Sequence, residues 1–250
     1  MKLLIDGDWL CYSLACAFTT INPFGEEPLP IFDFGGAKTK VDATIEKWIS
    51  ILDAEDVEIH FTHGMNFRKE LMESYKANRK GKPKPVGLAP LREYCENLYD
   101  CVSEPRLEAD DTLGICATKD KDSVIVSVDK DFLTIPAHIY NPNKQILKKQ
   151  SRVNAFKSFI YQVLIGDSSD GYKGIKGIGP KKALQFINAQ SKNLMNIWEP
   201  LVELAKSKGQ DEEHLLLQSR MAFILQTEYY DWDTKTITLW EPTHIERMLK

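Results

Sequence analysis

The chain has 250 residues, 43% of them hydrophobic, and a formal net charge of −4. Its length and apolar content suffice for one large buried core with a smaller appended unit, and they exclude a disordered chain. The acidic balance taken whole argues against a polyanion partner, and the lack of any run of about 20 apolar residues excludes a membrane-crossing helix.

In chain order, the first expected element is a strand at 3–5, LLI, closed by Asp6, Gly7 and Asp8. Those two acids interrupt the N-terminal apolar run before it reaches the length of a secretion signal. A helix is expected near 41–53 and a strand at 57–62, VEIHFT, with His63 directly after it. From Arg68 to Lys84 seven basic residues (Arg68, Lys69, Lys76, Arg79, Lys80, Lys82, Lys84) face only Glu70 and Glu73, so the average charge hides a strongly basic segment. Its end, GKPKPVG at 81–87, reads as an exposed excursion rich in Pro, Gly and Lys.

Helices are expected next at 87–98 and 109–118, then a strand at 124–128, VIVSV. A helix at 152–165 places Val153, Phe156, Ile160, Val163 and Leu164 at helical spacing. After about 165 the composition changes to GYKGIKGIGPKKALQFI, dense in Gly and Lys, and a small second domain is placed there. A helix at about 211–226 and a strand in WDTKTITLW close the chain. Short apolar runs alternating with longer amphipathic stretches give an α/β fold, a mostly parallel sheet flanked by helices.

The five cysteines (Cys11, Cys16, Cys95, Cys101, Cys116) form no CxxC pair and read as buried thiols in a reducing compartment, with no disulfide framework or zinc site implied. His60, His138, His214 and His244 show no ligand spacing. The protein is expected to be soluble and cytoplasmic.

Nine carboxylates fall in four short clusters: Asp6 and Asp8, then Glu108, Asp110 and Asp111, then Asp129 and Asp131, then Asp167 and Asp170. Asp6 and Asp129 each follow a strand, where open parallel sheets place their ligands. Like charges gathered there stay ionised only with cations among them. All-oxygen donors suit Mg²⁺, and a pair of such ions about 4 Å apart is the usual apparatus for attack on a phosphodiester. Singly, each cluster has an ordinary alternative: LEADD as first-turn dipole compensation, VDKD as a turn, GDSSD as a helix cap. Their joint order, beside a basic segment, points to a metal-dependent nuclease.

GIKGIGPKKA at 174–183 is the sharpest short motif. Gly177 and Gly179 permit a tight turn with outward NH groups, Pro180 suits a first helical position, and Lys181 and Lys182 add charge for a DNA backbone. It resembles a helix-hairpin-helix element.

Together, DG after the first strand, NFRKELMESYKANRK, LEADD, SVDKDF and GDSSDGYKGIKGIGPKKA resemble the 5′-nuclease superfamily of flap endonucleases and phage 5′-to-3′ exonucleases, and most of all the short phage enzymes. The resemblance covers roughly 1–190, and the tail EYYDWDTKTITLWEP is similar to the phage branch. It implies a PIN-like nuclease domain at 1–165 with a helical arch at about 66–90, a helix-hairpin-helix DNA-binding domain at 166–225, and a C-terminal strand and tail at 226–250. It further implies that Asp6, Glu108 and Asp110 serve one metal while Asp129, Asp131 and Asp167 serve a second, with Asp111 and Asp170 nearby and outer-sphere. Lys76 and Arg79, in YKANR, match the arch residues that hold the scissile phosphate. Tyr75 is a candidate for stacking on a base or a partly buried arch residue, and Arg68 a candidate for steering phosphate. Asp8 is read as structural. One departure is His63, where the family usually has Asp; a tolerated outer-sphere change, a held water, a shift toward Mn²⁺ and weakened activity are the readings of it.

The expected function is thus a two-metal 5′-to-3′ exodeoxyribonuclease with 5′-flap endonuclease activity that leaves 5′-phosphates, in phage DNA replication, recombination or host DNA degradation. Its cofactors would be Mg²⁺, with Mn²⁺ able to substitute, and K⁺ at the hairpin. Its substrates would be DNA with 5′ ends or flaps and RNA-DNA hybrid, without membrane or small-molecule cofactor. The alternatives are a catalytically weakened DNA-binding protein of the same fold and a PIN-type ribonuclease.

Overall fold

The computed structural model describes residues 1–22 and 29–250. Strand β1 (Lys2–Asp6) leads into α1 (Gly7–Ala17), an antiparallel pair of β2 (Thr19–Asn22) and β3 (Leu29–Phe32), and α2 (Phe34–Leu52). Then come β4 (Asp56–His60), the short α3 (Phe67–Leu71), α4 (Leu88–Leu98), β5 (Asp100–Val102), α5 (Ala109–Lys119) and β6 (Ser123–Val126). Strands β7 (His138–Asn141) and β8 (Ile146–Lys149) precede α6 (Arg152–Ile165). The remainder holds α7 (Pro180–Ala189), α8 (Trp198–Ser207), α9 (Glu212–Ala222), a small ladder of β9 (Tyr230–Asp231) with β10 (Thr236–Ile237), and α10 (Ile245–Leu249).

The main sheet runs β5-β4-β1-β6-β7-β8, parallel throughout except for the antiparallel edge strand β8. Strands covered on both faces carry unbroken apolar runs, as Leu3, Leu4, Ile5 and Val124, Ile125, Val126 do here. Successive side chains alternate between faces. Leu3, Ile5, Val124 and Val126 pack with Leu10, Val41, Ile45 and Leu91 of α1, α2 and α4, while Leu4 and Ile125 pack on the other face with Leu113 and Ala117 of α5. Truncating a fully buried leucine such as Leu3 to alanine would cost about 2–5 kcal/mol.

A third apolar cluster joins Phe156, Phe159, Ile160 and Val163 of α6 to Phe67, Leu107 and Ile115 and onward to Ala183, Leu201, Leu215 and Trp240. The chain beyond 165 therefore shares its core with α6 and α5. Among the described residues no helix is long and apolar enough to cross a membrane.

Several elements differ from expectation. The arch is helical only in part: α3 opens it, and between α3 and α4 the chain makes turns, a single 3-10 turn at Ala77–Arg79, and irregular backbone to 87. Pro83 and Pro85 lack the NH donors a helix needs, and Arg79, Lys80, Lys82 and Lys84 repel one another. Helix α2 starts at Phe34 because the Asp33 carboxylate caps it, accepting from Gly36 N at 2.9 Å. The strand expected across WDTKTITLW shrinks to the two-residue β10, since the chain turns back at Lys235 (φ 55°). Trp240 leaves that line altogether and packs 5.2 Å from Phe159 and 5.5 Å from Trp198, ring to ring.

Candidate active site

Asp6 ends β1 and serves two purposes with two oxygens. Its Oδ1 accepts from Trp9 N at 3.0 Å, capping α1, and its Oδ2 accepts from Ser127 Oγ at 2.8 Å. Ser127 Oγ in turn accepts from Asp129 N at 3.1 Å, and Asp129 Oδ1 accepts from Asp131 N at 2.8 Å. This relay fastens the ends of adjacent strands β1 and β6 together, so that the first and third acidic clusters share the carboxyl edge of the sheet. The second cluster opens α5, with Glu108 as its N-cap and Asp110 and Asp111 in its first turn, where the helix dipole favours negative charge.

The fourth cluster lies on the loop after α6, and that loop docks on the arch. Gly171 (φ 86°) lets the backbone pass so close to Ser74 O that a Cβ there would sit 2.8 Å from it. Lys76 N donates to Asp170 O at 2.9 Å, which helps hold Lys76 in its left-handed backbone (φ 54°), a conformation that costs a side-chain-bearing residue about 1–2 kcal/mol. So placed, Lys76 Nζ stands 2.5 Å from Glu108 Oε1 and 3.7 Å from Asp170 Oδ2. Arg79 donates to Asp170 Oδ1 at 2.8 Å. Asp167 Oδ1 accepts from Ser169 N and Oγ at 2.7 and 2.6 Å, with Lys130 Nζ 3.9 Å from its other oxygen.

The electrostatics show crowding. Burial, with repulsion from Asp8 and Asp129, pushes Asp6 up to about 6 despite its hydrogen bonds. Burial, with repulsion from Asp6, Glu108 and Asp129, pushes Asp110 well above the usual carboxylate range. Burial and the charges of Asp129, Asp167 and Asp170 push Asp131 up to about 7. Burial also raises Asp170. Glu108 goes the other way: burial opposes its charge, but Lys76 and Arg68 outweigh that and hold it below its ordinary value. A divalent cation fits this donor set. All donors are carboxylate oxygens and Asp131 Oδ1 is buried without a hydrogen-bond partner, but among the described residues no three of these carboxylates bring an oxygen each within 4.8 Å of one another, so the oxygens must draw together to share an ion.

Two expectations are corrected, for Arg68 and for base stacking on Tyr75. Asp111 keeps the nearby, outer-sphere place expected of it, behind Glu108: it is 0% exposed and its oxygens accept from Arg68 at 2.7 and 2.7 Å, from Glu108 N and from Leu225 N. Arg68 does not face phosphate, because burial and its ties to Asp111, Glu108 and the carbonyls of Met221 and Phe223 engage the whole guanidinium. Tyr75 is 3% exposed, with its hydroxyl 2.8 Å from Glu108 Oε2 and 3.2 Å from Asp170 Oδ2, so its ring has no free face for a base. Asp8 is structural, accepting from Thr62 N at 3.1 Å, and His63 is exposed.

The hairpin motif follows directly on the loop that carries Asp167 and Asp170, with Gly174 packed against Gly166. Gly177 (φ 75°) makes the turn, Gly179 caps α7, Pro180 is its first residue, and nothing stands within 4 Å of a Cβ at either glycine. Lys181 and Lys182 are exposed, and Lys182 Nζ donates to Gly177 O at 3.1 Å. Sequence reasoning missed Ser127 and the Arg68–Asp111 pair; a hydroxyl closing an apolar strand two residues before an acid was the available signal for Ser127.

A nuclease built on a parallel sheet is what this edge and fold define. Residues 2–158 match the family described as the 5′-3′ exonuclease, N-terminal resolvase-like domain, and the chain belongs to that family. It is 29% identical to the exodeoxyribonuclease of Enterobacteria phage T3 across 96% of this chain and 92% of that one, and 29% identical to the exonuclease of Escherichia phage T7 across 96% and 93%. A flap endonuclease Xni of Shewanella piezotolerans is 27% identical over 72% of this chain and 77% of its own. Among solved structures, the T5 5′-exonuclease with divalent zinc bound superposes with a TM-score of 0.70 at 15% identity, covering 99% of this chain and 92% of that one. The T5 flap endonuclease in a pseudo-enzyme-product complex with DNA and metal ions gives 0.68 at 15%, covering 99% and 91%. The fold is thus that of the T5 enzyme, and the expected α/β class holds.

Proposed function

We propose that this chain hydrolyses DNA phosphodiesters from 5′ ends and at 5′ flaps with two divalent ions, Mg²⁺ in the cell and Mn²⁺ as a substitute. Asp6, Glu108 and Asp110 would hold one ion and Asp129, Asp131 and Asp167 the other, with Asp170 alongside. When bound, such ions supply an activated water and neutralise the charge that develops on the phosphate. What supports the reading is the pairing of Lys76 and Arg79 with Glu108 and Asp170, which puts two arch cations directly on the acidic edge.

The chain's own residues do the rest. An incoming phosphate competes with Glu108 and Asp170 for Lys76 and Arg79, and those cations then orient the phosphate and offset charge as it grows. The hairpin at 174–183, within a DNA-gripping unit at 166–225, holds the duplex backbone through Lys181, Lys182 and the NH groups around Gly177 and Gly179. The segment 1–165, joined by Asp167 and Asp170 of the loop that follows it, carries the chemistry, and the tail 226–250 packs back on it. A potassium ion at the hairpin carbonyls is part of the proposal, beside the Gly177 carbonyl that Lys182 Nζ contacts at 3.1 Å. His63, exposed beyond β4, fits a tolerated outer position rather than a scar of lost catalysis. RNA-DNA hybrid is a second substrate of the same backbone-directed grip. The test is product mapping on 5′-labelled nicked and flapped duplexes with Mg²⁺ or Mn²⁺. Short 5′-phosphorylated products are expected, and no cleavage with either ion would leave only the DNA-binding role.

A further inference from the structure

Beneath the acidic edge, on the face of the sheet that α5 covers, lies a cluster the nuclease chemistry does not use. Glu58 and His60 alternate with Ile59 along β4 and so share one face, and Cys116 follows Thr112 by one turn of α5. Thr112 Oγ1 donates its single proton to Ala109 O at 3.0 Å. The same hydroxyl lies 2.9 Å from His60 Nδ1, and in the tautomer that carries its proton on Nδ1 the imidazole donates there. Fully buried Nε2, 3.0 Å from Glu58 Oε1, then presents a lone pair; in the other tautomer it donates to that oxygen. In the first case two acceptors face each other in a dry place, an arrangement that a positive charge between them satisfies.

The neutral imidazole with its proton on Nδ1 is the form that ligates a metal ion through Nε2. The Cys116 sulfur completes the set, since the His60 nitrogen, the Glu58 oxygen and this sulfur lie within 4.8 Å of one another. Nitrogen, sulfur and one carboxylate oxygen form a zinc-type donor set, unlike the all-oxygen edge above. Lys2 holds the other Glu58 oxygen at 2.8 Å and is itself shared with Asp56 at 3.5 Å, so negative charge is left over for a divalent ion. Glu58 and Cys116 are only partly buried, which leaves a way in.

We propose that Glu58, His60 and Cys116 form a zinc site separate from the nuclease centre, about two helical turns further along α5. The ion would pin β4 to α5 and so brace the helix that presents Glu108 and Asp110. The donors come from elements far apart in sequence, which is why no CxxC or histidine spacing reveals the site.

Titrating the full-length apoprotein with Co²⁺ tests this. A thiolate-to-cobalt charge-transfer band saturating at one equivalent is expected, displaceable by Zn²⁺, and retained in Asp129→Ala. Cys116→Ser should abolish the band and weaken Zn²⁺ binding at least tenfold, with the far-UV circular dichroism unchanged. His60→Gln, read the same way, gives a second variant should either one fold poorly. A missing band in the wild-type chain, or a band that survives Cys116→Ser but vanishes in Asp129→Ala, would overturn the proposal and leave His60 and Glu58 as a buried ion pair.

Discussion

Arg68 and Asp111 form a bidentate pair with both contacts at 2.7 Å, the carboxylate wholly buried. Arg68 also reaches the carbonyls of Met221 and Phe223, so the pair ties α3 and α5 to the end of α9. Arg68→Ala would strand Asp111 without its partner, a loss expected at about 3–5 kcal/mol. Arg68→Lys should recover little of it, because an ammonium lacks the fork that serves a carboxylate and two carbonyls at once. Denaturant unfolding measures this, and a loss under about 1 kcal/mol would show the pair to be dispensable.

Lys76 is half-buried against Glu108 whereas Arg79 is exposed at the rim of the same edge. Lys76→Ala is therefore expected to lower kcat by roughly 10²–10³, the usual penalty for removing one donor to transition-state charge. Arg79→Ala should act more on KM. Steady-state kinetics on a flapped duplex separates the two, and equal, small effects on KM alone would demote Lys76 to a phosphate-steering role.

Asp6 at about 6 and Asp131 at about 7 both lie above their ordinary value of 3.8. A carboxyl with a raised folded pKa binds its proton more tightly when folded, so its protonation stabilises the fold. That gain is absent above the folded pKa and grows as pH falls toward the unfolded one. Without divalent ions, Tm should therefore rise as pH drops from about 7.5 to about 5. Adding Mg²⁺ at pH 7.5 should raise Tm as well, by binding the folded form alone. Differential scanning fluorimetry with EDTA or Mg²⁺ reads both, and a metal-free Tm that falls steadily on acidification would contradict the crowding.

Lys181 and Lys182 flank the open turn at Gly177 and Gly179. Removing either ammonium should weaken duplex binding on all sequences alike and reduce the slope of log affinity against log salt by about 1. Lys181→Ala and Lys182→Ala should do so additively while leaving Lys76 and Arg79 to act on whatever DNA remains bound. An unchanged slope would remove the hairpin from the interface.

Much of the fold is legible in the amino-acid order. The strands carrying Asp6 and Asp129 are visible because parallel strands buried on both faces need continuous apolar runs, and α6 is visible because its apolar residues recur at helical spacing. Helix α1 is not, since DGDWL reads as an acidic turn until one Asp6 oxygen is found capping the helix while the other accepts from Ser127. The roles of Arg68, Tyr75 and Asp111 are illegible for a related reason. Composition shows that charges are present but not which of them are sealed together, and a basic segment looks uniformly solvated until packing buries one member of it.

The most direct measurement is paired: DNA cleavage and DNA affinity of Asp131→Ala beside the wild-type chain, on one flapped duplex with Mg²⁺. Asp131 supplies an orphaned buried oxygen to the acidic edge, and its backbone NH is held by Asp129. Cleavage abolished with affinity kept within a few-fold is the expected result. Cleavage retained, or cleavage and affinity lost together, would contradict a metal-holding role for this edge.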